Sequence, residues 1–103
     1  MKFFIDTANL DQIHEAASLG ILDGVTTNPS LIAKEGIKGE DKILQHYLDI
    51  CKIVEGDISA EVIATNFDGI VREGKQLAAL SPKIVVKVPM IKDGVKAMVH
   101  FTE

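Results

Sequence analysis

The chain has 103 residues, 47% of them hydrophobic and 25% charged, with a formal net charge of -4; this describes one globular domain over residues 1–103 and excludes a disordered or fibrous chain. The acidic balance, with no lysine-arginine cluster and only 5% aromatic residues, leaves no electrostatic footprint for nucleic acid or an anionic membrane surface. No apolar run approaches a membrane-spanning length, and Met1 leads straight into strand-like sequence with no apolar leader, so a cytoplasmic location is expected.

Lys2 to Asp6 reads as a first strand, with Lys2, Phe4 and Asp6 on one face and Phe3 and Ile5 on the other. Asn9 followed by Gln12 is a helix-start signature, and Leu10, Ile13 and Ala17 form an apolar stripe that Gly20 closes. A second strand over about Leu22 to Thr27 runs into Asn28-Pro29-Ser30, where Asn28 suits a helix cap and Pro29 the first helical position. Gly36 to Gly39 break the helical pattern before a longer helix begins near Glu40 and ends at Gly56. Its stripe includes Cys51, the single cysteine, which reads as a small core residue and excludes an internal disulfide.

The third strand, Ile58 to Ile63, alternates Ser59, Glu61 and Ile63 against Ala60 and Val62, which puts Glu61 where a core-facing side chain would point. Asn66 caps the next helix, Ser81-Pro82 ends it, and Lys83 to Met90 forms the fourth strand. A last helix starts near Asp93. Met90, Met98 and Phe101 read as core. Four strand-helix alternations with short loops imply an α/β fold with a parallel sheet. There is no glycine-rich dinucleotide fingerprint and no P-loop, which points away from nucleotide folds and toward a β/α barrel.

In such barrels the chemistry sits at the C-terminal ends of the strands, and here those ends hold Asp6, Thr26 with Asn28, Glu61 and Lys87. Lys87 lies in the apolar run Ile84-Val85-Val86-Lys87-Val88-Pro89. Burial disfavours an ammonium and leaves a neutral amine able to attack a carbonyl carbon, so Lys87 is a candidate Schiff-base nucleophile. Asp6 and Glu61 supply the two carboxylates that a Schiff-base carbon-carbon lyase or transferase uses to move protons. Each has a plainer reading: Asp6 as the end of a strand in a turn, Glu61 as an ion-pair partner of Lys87, Thr26 to Pro29 as a strand exit and helix cap. His14, His46 and His100 are too scattered to suggest a metal site.

Phe4-Ile5-Asp6-Thr7-Ala8, Gly24-Val25-Thr26-Thr27-Asn28-Pro29-Ser30 and Ile84-Val85-Val86-Lys87-Val88-Pro89, in this order, resemble the small transaldolases and the related fructose-6-phosphate aldolases, class I enzymes on (β/α)8 barrels. The resemblance covers essentially the whole chain. It implies that Lys87 forms the Schiff base, that Asp6 handles the substrate hydroxyl proton, and that Thr26 and Asn28 orient the dihydroxyacetone part. It also implies sugar-phosphate substrates, no metal or organic cofactor, and a ring-based homo-oligomer. At the third strand the aldolases have a glutamine and the transaldolases a glutamate, so Glu61 favours a transaldolase of the pentose phosphate pathway. An aldolase that releases dihydroxyacetone is the first alternative. The family has eight strand-helix units and this chain four, so it resembles an N-terminal half-barrel. A threonine, a serine and a phosphate-binding arginine of the family's second half find no counterpart here. The 103-residue chain alone is therefore expected to be inactive, and a non-catalytic half-barrel serving as an assembly module is the alternative of another class.

Overall fold

The computed structural model describes residues 2–102. The elements run β1 (Phe4–Asp6), α1 (Leu10–Ser18), β2 (Gly24–Thr26), α2 (Pro29–Lys34), α3 (Glu40–Ile53), β3 (Asp57–Glu61), α4 (Phe67–Leu80), β4 (Ile84–Lys87) and α5 (Lys92–Thr102). Three helix starts obey local capping chemistry. The Oδ1 atoms of Asn9, Asn28 and Asn66 accept from the backbone N–H of Gln12, Leu31 and Gly69 at 2.9, 3.0 and 2.7 Å. Between α2 and α3 the chain turns through Gly36 and Gly39 at φ +76° and +93°, a region closed to most side chains.

The four strands are parallel and lie in the order β1-β2-β3-β4. A crossover that always steps to the next strand keeps its helices on one face, whereas a doubly wound sheet reverses direction and covers both. Burial shows the one-sided case. Val25, Ile58 and Ala60 are fully buried against Ile13, Tyr47, Ile50 and Ile70 of the helix layer, and Ile5, Ile84 and Val86 pack against the same core. The alternate residues Phe4, Asp6, Val85 and Lys87 are exposed on the opposite face. Each fully buried aliphatic side chain contributes about 1.5–3 kcal/mol, so this single seam between sheet and helices holds the fold. The result is an α/β unit with the winding of a barrel wall, its open face turned to where a barrel's interior would be.

Several boundaries differ from the sequence reading. The strands are shorter than expected, because ladder pairing stops at Asp6, Thr26, Glu61 and Lys87. Helix α3 ends at Ile53 rather than Gly56: the Lys83 ammonium donates to the carbonyls of Cys51 and Val54 at 2.9 and 2.8 Å, and Val54 is already extended. Cys51 is buried as expected, but Met90, Met98 and Phe101 are exposed rather than core. Met90 lies on the loop after β4. α5 buries only Gly94 and Ala97, while the Phe101 ring seats on Gly74 of α4, where a Cβ would collide with it.

Candidate active site

Strand register decides which side chains meet. Asp6 pairs with Thr26, Thr26 with Ser59, and Ser59 with Val85, giving one row across the open face. Two residues further toward the strand ends, Glu61 pairs with Lys87. Because side chains alternate, Asp6, Thr26, Ser59, Glu61 and Lys87 all project from the same face. Neighbouring strands lie about 4.8 Å apart, so Glu61 and Lys87 are immediate neighbours, while Asp6 and Lys87 are separated by three strand spacings, about 14 Å across the sheet, and by a further two residues along it. Curling of the sheet turns such a separation into two walls of one cavity.

Thr26 Oγ1 donates to Asp6 Oδ1 at 3.0 Å, which fixes the carboxylate's direction across the strand boundary. The loop after Asp6 is held from within: Thr7 Oγ1 donates to Gln12 Oε1 at 2.7 Å and accepts from the Asn9 N–H at 3.1 Å. Buried His46 of α3 places Nε2 2.6 Å from the Ala8 carbonyl oxygen, so Nε2 carries the proton and donates. At the end of β2, Asn28 gives its Oδ1 to the helix cap, which leaves its Nδ2 amide as the group free to meet a ligand.

Three readings are corrected here. Lys87 is exposed, because the open face has nothing over it among the described residues; the burial invoked for it in the sequence is not supplied by this chain's own atoms. Glu61 is half-buried and faces away from the hydrophobic core, which takes Ile58, Ala60 and Val62 instead. Nor do Glu61 and Lys87 form an ion pair; the ion pair among the described residues joins Arg72 to Glu40 at 3.2 Å. Lys83, the nearest lysine in sequence, sits at the opposite end of β4 with its ammonium held by the end of α3, which removes it from the site.

Behind Glu61 lie residues to which the sequence reading gave no role. The Tyr47 hydroxyl, buried, approaches the Glu61 backbone without closing a hydrogen bond. Burial pushes its pKa up to about 12; proximity to the Glu61 backbone works against this, and the Glu61 charge adds to it. Beyond Glu61, the Glu73 carboxylate of α4 accepts from the N–H groups of Ile63 and Ala64 at 3.4 and 2.7 Å. Tyr47, Glu61, Ile63 and Glu73 line one cavity of about 230 Å³ between α3 and α4. The sequence signals Tyr47 only as one position of an apolar stripe.

Comparison with known proteins gives the family. Residues 3–103 match the family model described as Transaldolase/Fructose-6-phosphate aldolase. The chain is 72% identical over 102 residues to a probable transaldolase of Bacteroides fragilis, a match covering 99% of this chain and 47% of that protein. It is 67% identical over 103 residues to a probable transaldolase of Cytophaga hutchinsonii and 66% identical over 103 residues to one of Porphyromonas gingivalis, covering 100% of this chain and 47% of each. The chain thus spans about half the length of the curated relatives it matches. It belongs to the transaldolase/fructose-6-phosphate aldolase family, whose fold is a TIM barrel, and it supplies roughly the N-terminal half of that fold.

Proposed function

We propose that this chain supplies the Schiff-base half of a transaldolase, a single domain contribution to a barrel that transfers a dihydroxyacetone unit between sugar phosphates. The observation that carries the reading is the pairing of Glu61 with Lys87 on the same face as Asp6 and Thr26. The Lys87 amine adds to the ketone carbon of a ketose phosphate and water leaves, giving an iminium. Asp6 takes the proton of the hydroxyl at the breaking bond, the carbon-carbon bond cleaves, and its electrons pass into the iminium to form a three-carbon enamine. An aldose-phosphate leaves and another accepts the enamine carbon, with the Asp6 proton returned to the new hydroxyl; water then adds to the product iminium, the carbon-nitrogen bond breaks, and the ketose phosphate leaves the free Lys87 amine. The iminium is the electron sink for cleavage and the acceptor's carbonyl takes the electrons of the new bond, so the reaction asks for neither a metal nor an organic cofactor.

In this reading Thr26 holds Asp6 in place, the Asn28 Nδ2 donates to the three-carbon unit, and Glu61 relays protons to and from the imine nitrogen through water. The second half of the barrel covers the open face and gives Lys87 the water-poor surroundings it lacks here. The family and the relatives' names support sugar-phosphate substrates, and the same reading takes the complete barrel as a cytoplasmic homo-oligomer.

Transaldolase and aldolase part at Glu61. A carboxylate there titrates, whereas glutamine keeps hydrogen bonds and cannot. Glu61→Gln is expected to lower erythrose-4-phosphate-dependent transfer from fructose 6-phosphate by roughly a hundredfold, the scale of one acid-base group, while free dihydroxyacetone production persists. A ratio of transfer to release equal to that of the parent protein would remove Glu61 as the selector and restore the aldolase reading. The experiment is run in a barrel of family length, in which this chain replaces the 102 matched residues of the Bacteroides fragilis relative.

A further inference from the structure

We propose that Glu73, on the outer helix α4, is a positioning residue that holds the end of β3 beside β4 and so keeps Glu61 opposite Lys87. The inference rests on the roles read above for those two residues, but it draws on atoms behind the sheet rather than on the open face.

Strand β3 has neighbours on both sides only as far as Ser59, which pairs with Thr26, the last residue of β2. Past that point its backbone runs beside β4 alone, through the Glu61–Lys87 pair and the bond from the Val62 N–H to the Lys87 carbonyl at 3.2 Å. The next two N–H groups, of Ile63 and Ala64, have no strand to donate to. One Glu73 carboxylate satisfies both, at 3.4 and 2.7 Å. The Ile63 N–H faces water and its bond is long, so the part-buried Ala64 N–H, which would cost about as much as a lost hydrogen bond if left unpartnered, carries the tie. Charge-assisted bonds of this kind are the stronger ones.

The anchor is itself fixed. Asn66 caps α4, and Asp93 at the start of α5 accepts from the Phe67 N–H at 3.1 Å, so the helix that presents Glu73 is tied at its first turn. Arg72, the adjacent cation, is engaged with Glu40 at 3.2 Å and leaves the Glu73 carboxylate to the backbone. On the α3 side the Tyr47 hydroxyl lies by the Glu61 backbone and finds no hydrogen-bond partner among the described residues. Without Glu73 the last pair of the ladder frays, and a catalytic group misplaced by about 1 Å loses much of its efficiency.

In the family-length barrel, Glu73→Ala, Glu73→Gln and Glu61→Gln are compared with the parent protein by amide hydrogen exchange and by the ratio of transfer to dihydroxyacetone release. Glu73→Ala is expected to speed exchange over residues 61–64 by roughly 10-fold or more while peptides of β1 and β2 keep their protection. It should also shift the ratio toward release, in the direction of Glu61→Gln. Glu73→Gln, which retains one oxygen for the Ala64 N–H, should fall between, and it carries the same comparison if Glu73→Ala does not fold. Exchange unchanged over 61–64, or raised equally in every strand, overturns the proposal. So does a parental ratio in Glu73→Ala where Glu61→Gln shifts it. If Glu61→Gln leaves the ratio unmoved, the role given to Glu61 falls, and local exchange alone then decides whether Glu73 holds the strand end.

Discussion

Tyr47 puts a hydroxyl into the helix-sheet seam at 1% exposure without giving it a partner among the described residues. Burial raises its pKa from 10.0 to about 12. An acid with a higher pKa in the folded than in the unfolded state contributes stability that is whole below the unfolded value and is lost as pH rises through the folded one. The window is therefore pH 10 to 12, and two units correspond to about 3 kcal/mol. Tyr47→Phe is expected to match or exceed the parent in stability at pH 7, because it removes an unpaired buried hydroxyl, and to escape the part of the alkaline loss that Tyr47 causes. Denaturant unfolding at pH 7, 10 and 12 checks this; a gap between the two proteins that stays constant with pH would contradict it. At this scale the sequence exposed parity but not surroundings. The sequence put Asp6, Thr26, Glu61 and Lys87 at strand ends, but their common face comes from the ladder register. That Lys87 is open to water, and that Tyr47 sits behind Glu61, depends on what covers each face, which no local pattern encodes.

The helix starts were readable because capping is local: an asparagine and an N–H three residues on suffice, as at Asn9, Asn28 and Asn66. The end of α3 was not, because it is set by Lys83, 29 residues from Val54. Its ammonium bonds two terminal carbonyls and sits at the negative end of the helix dipole. Lys83→Met keeps the aliphatic stem and removes both bonds, and should cost about 2 kcal/mol, the value of hydrogen bonds to a charged group. Denaturant midpoints at pH 7 measure it, and a loss below about 0.5 kcal/mol would mean the clamp is no better than an exposed ion pair. Strand lengths were misjudged for the same reason as the helix end: ladder pairing, not composition, terminates β1 through β4.

For the whole molecule, the one-directional strand order and one-sided helix layer were implicit in the regular alternation of strands and helices, since short parallel crossovers leave few topologies. What the alternation does not carry is closure. The sheet has β1 and β4 at its edges and polar side chains on an uncovered face, and a family-length barrel is needed to enclose them. On the proposed function, the enclosed face uses Lys87 as its nucleophile. Borohydride reduction during turnover of fructose 6-phosphate makes an imine permanent, and peptide mass mapping then locates it. In the family-length barrel carrying this chain, a single three-carbon adduct is expected on the peptide containing Lys87, absent in Lys87→Met, while Asp6→Asn still forms the imine but fails to cleave the sugar. An adduct on Lys83 or Lys92, or turnover with no trapped lysine, would contradict it.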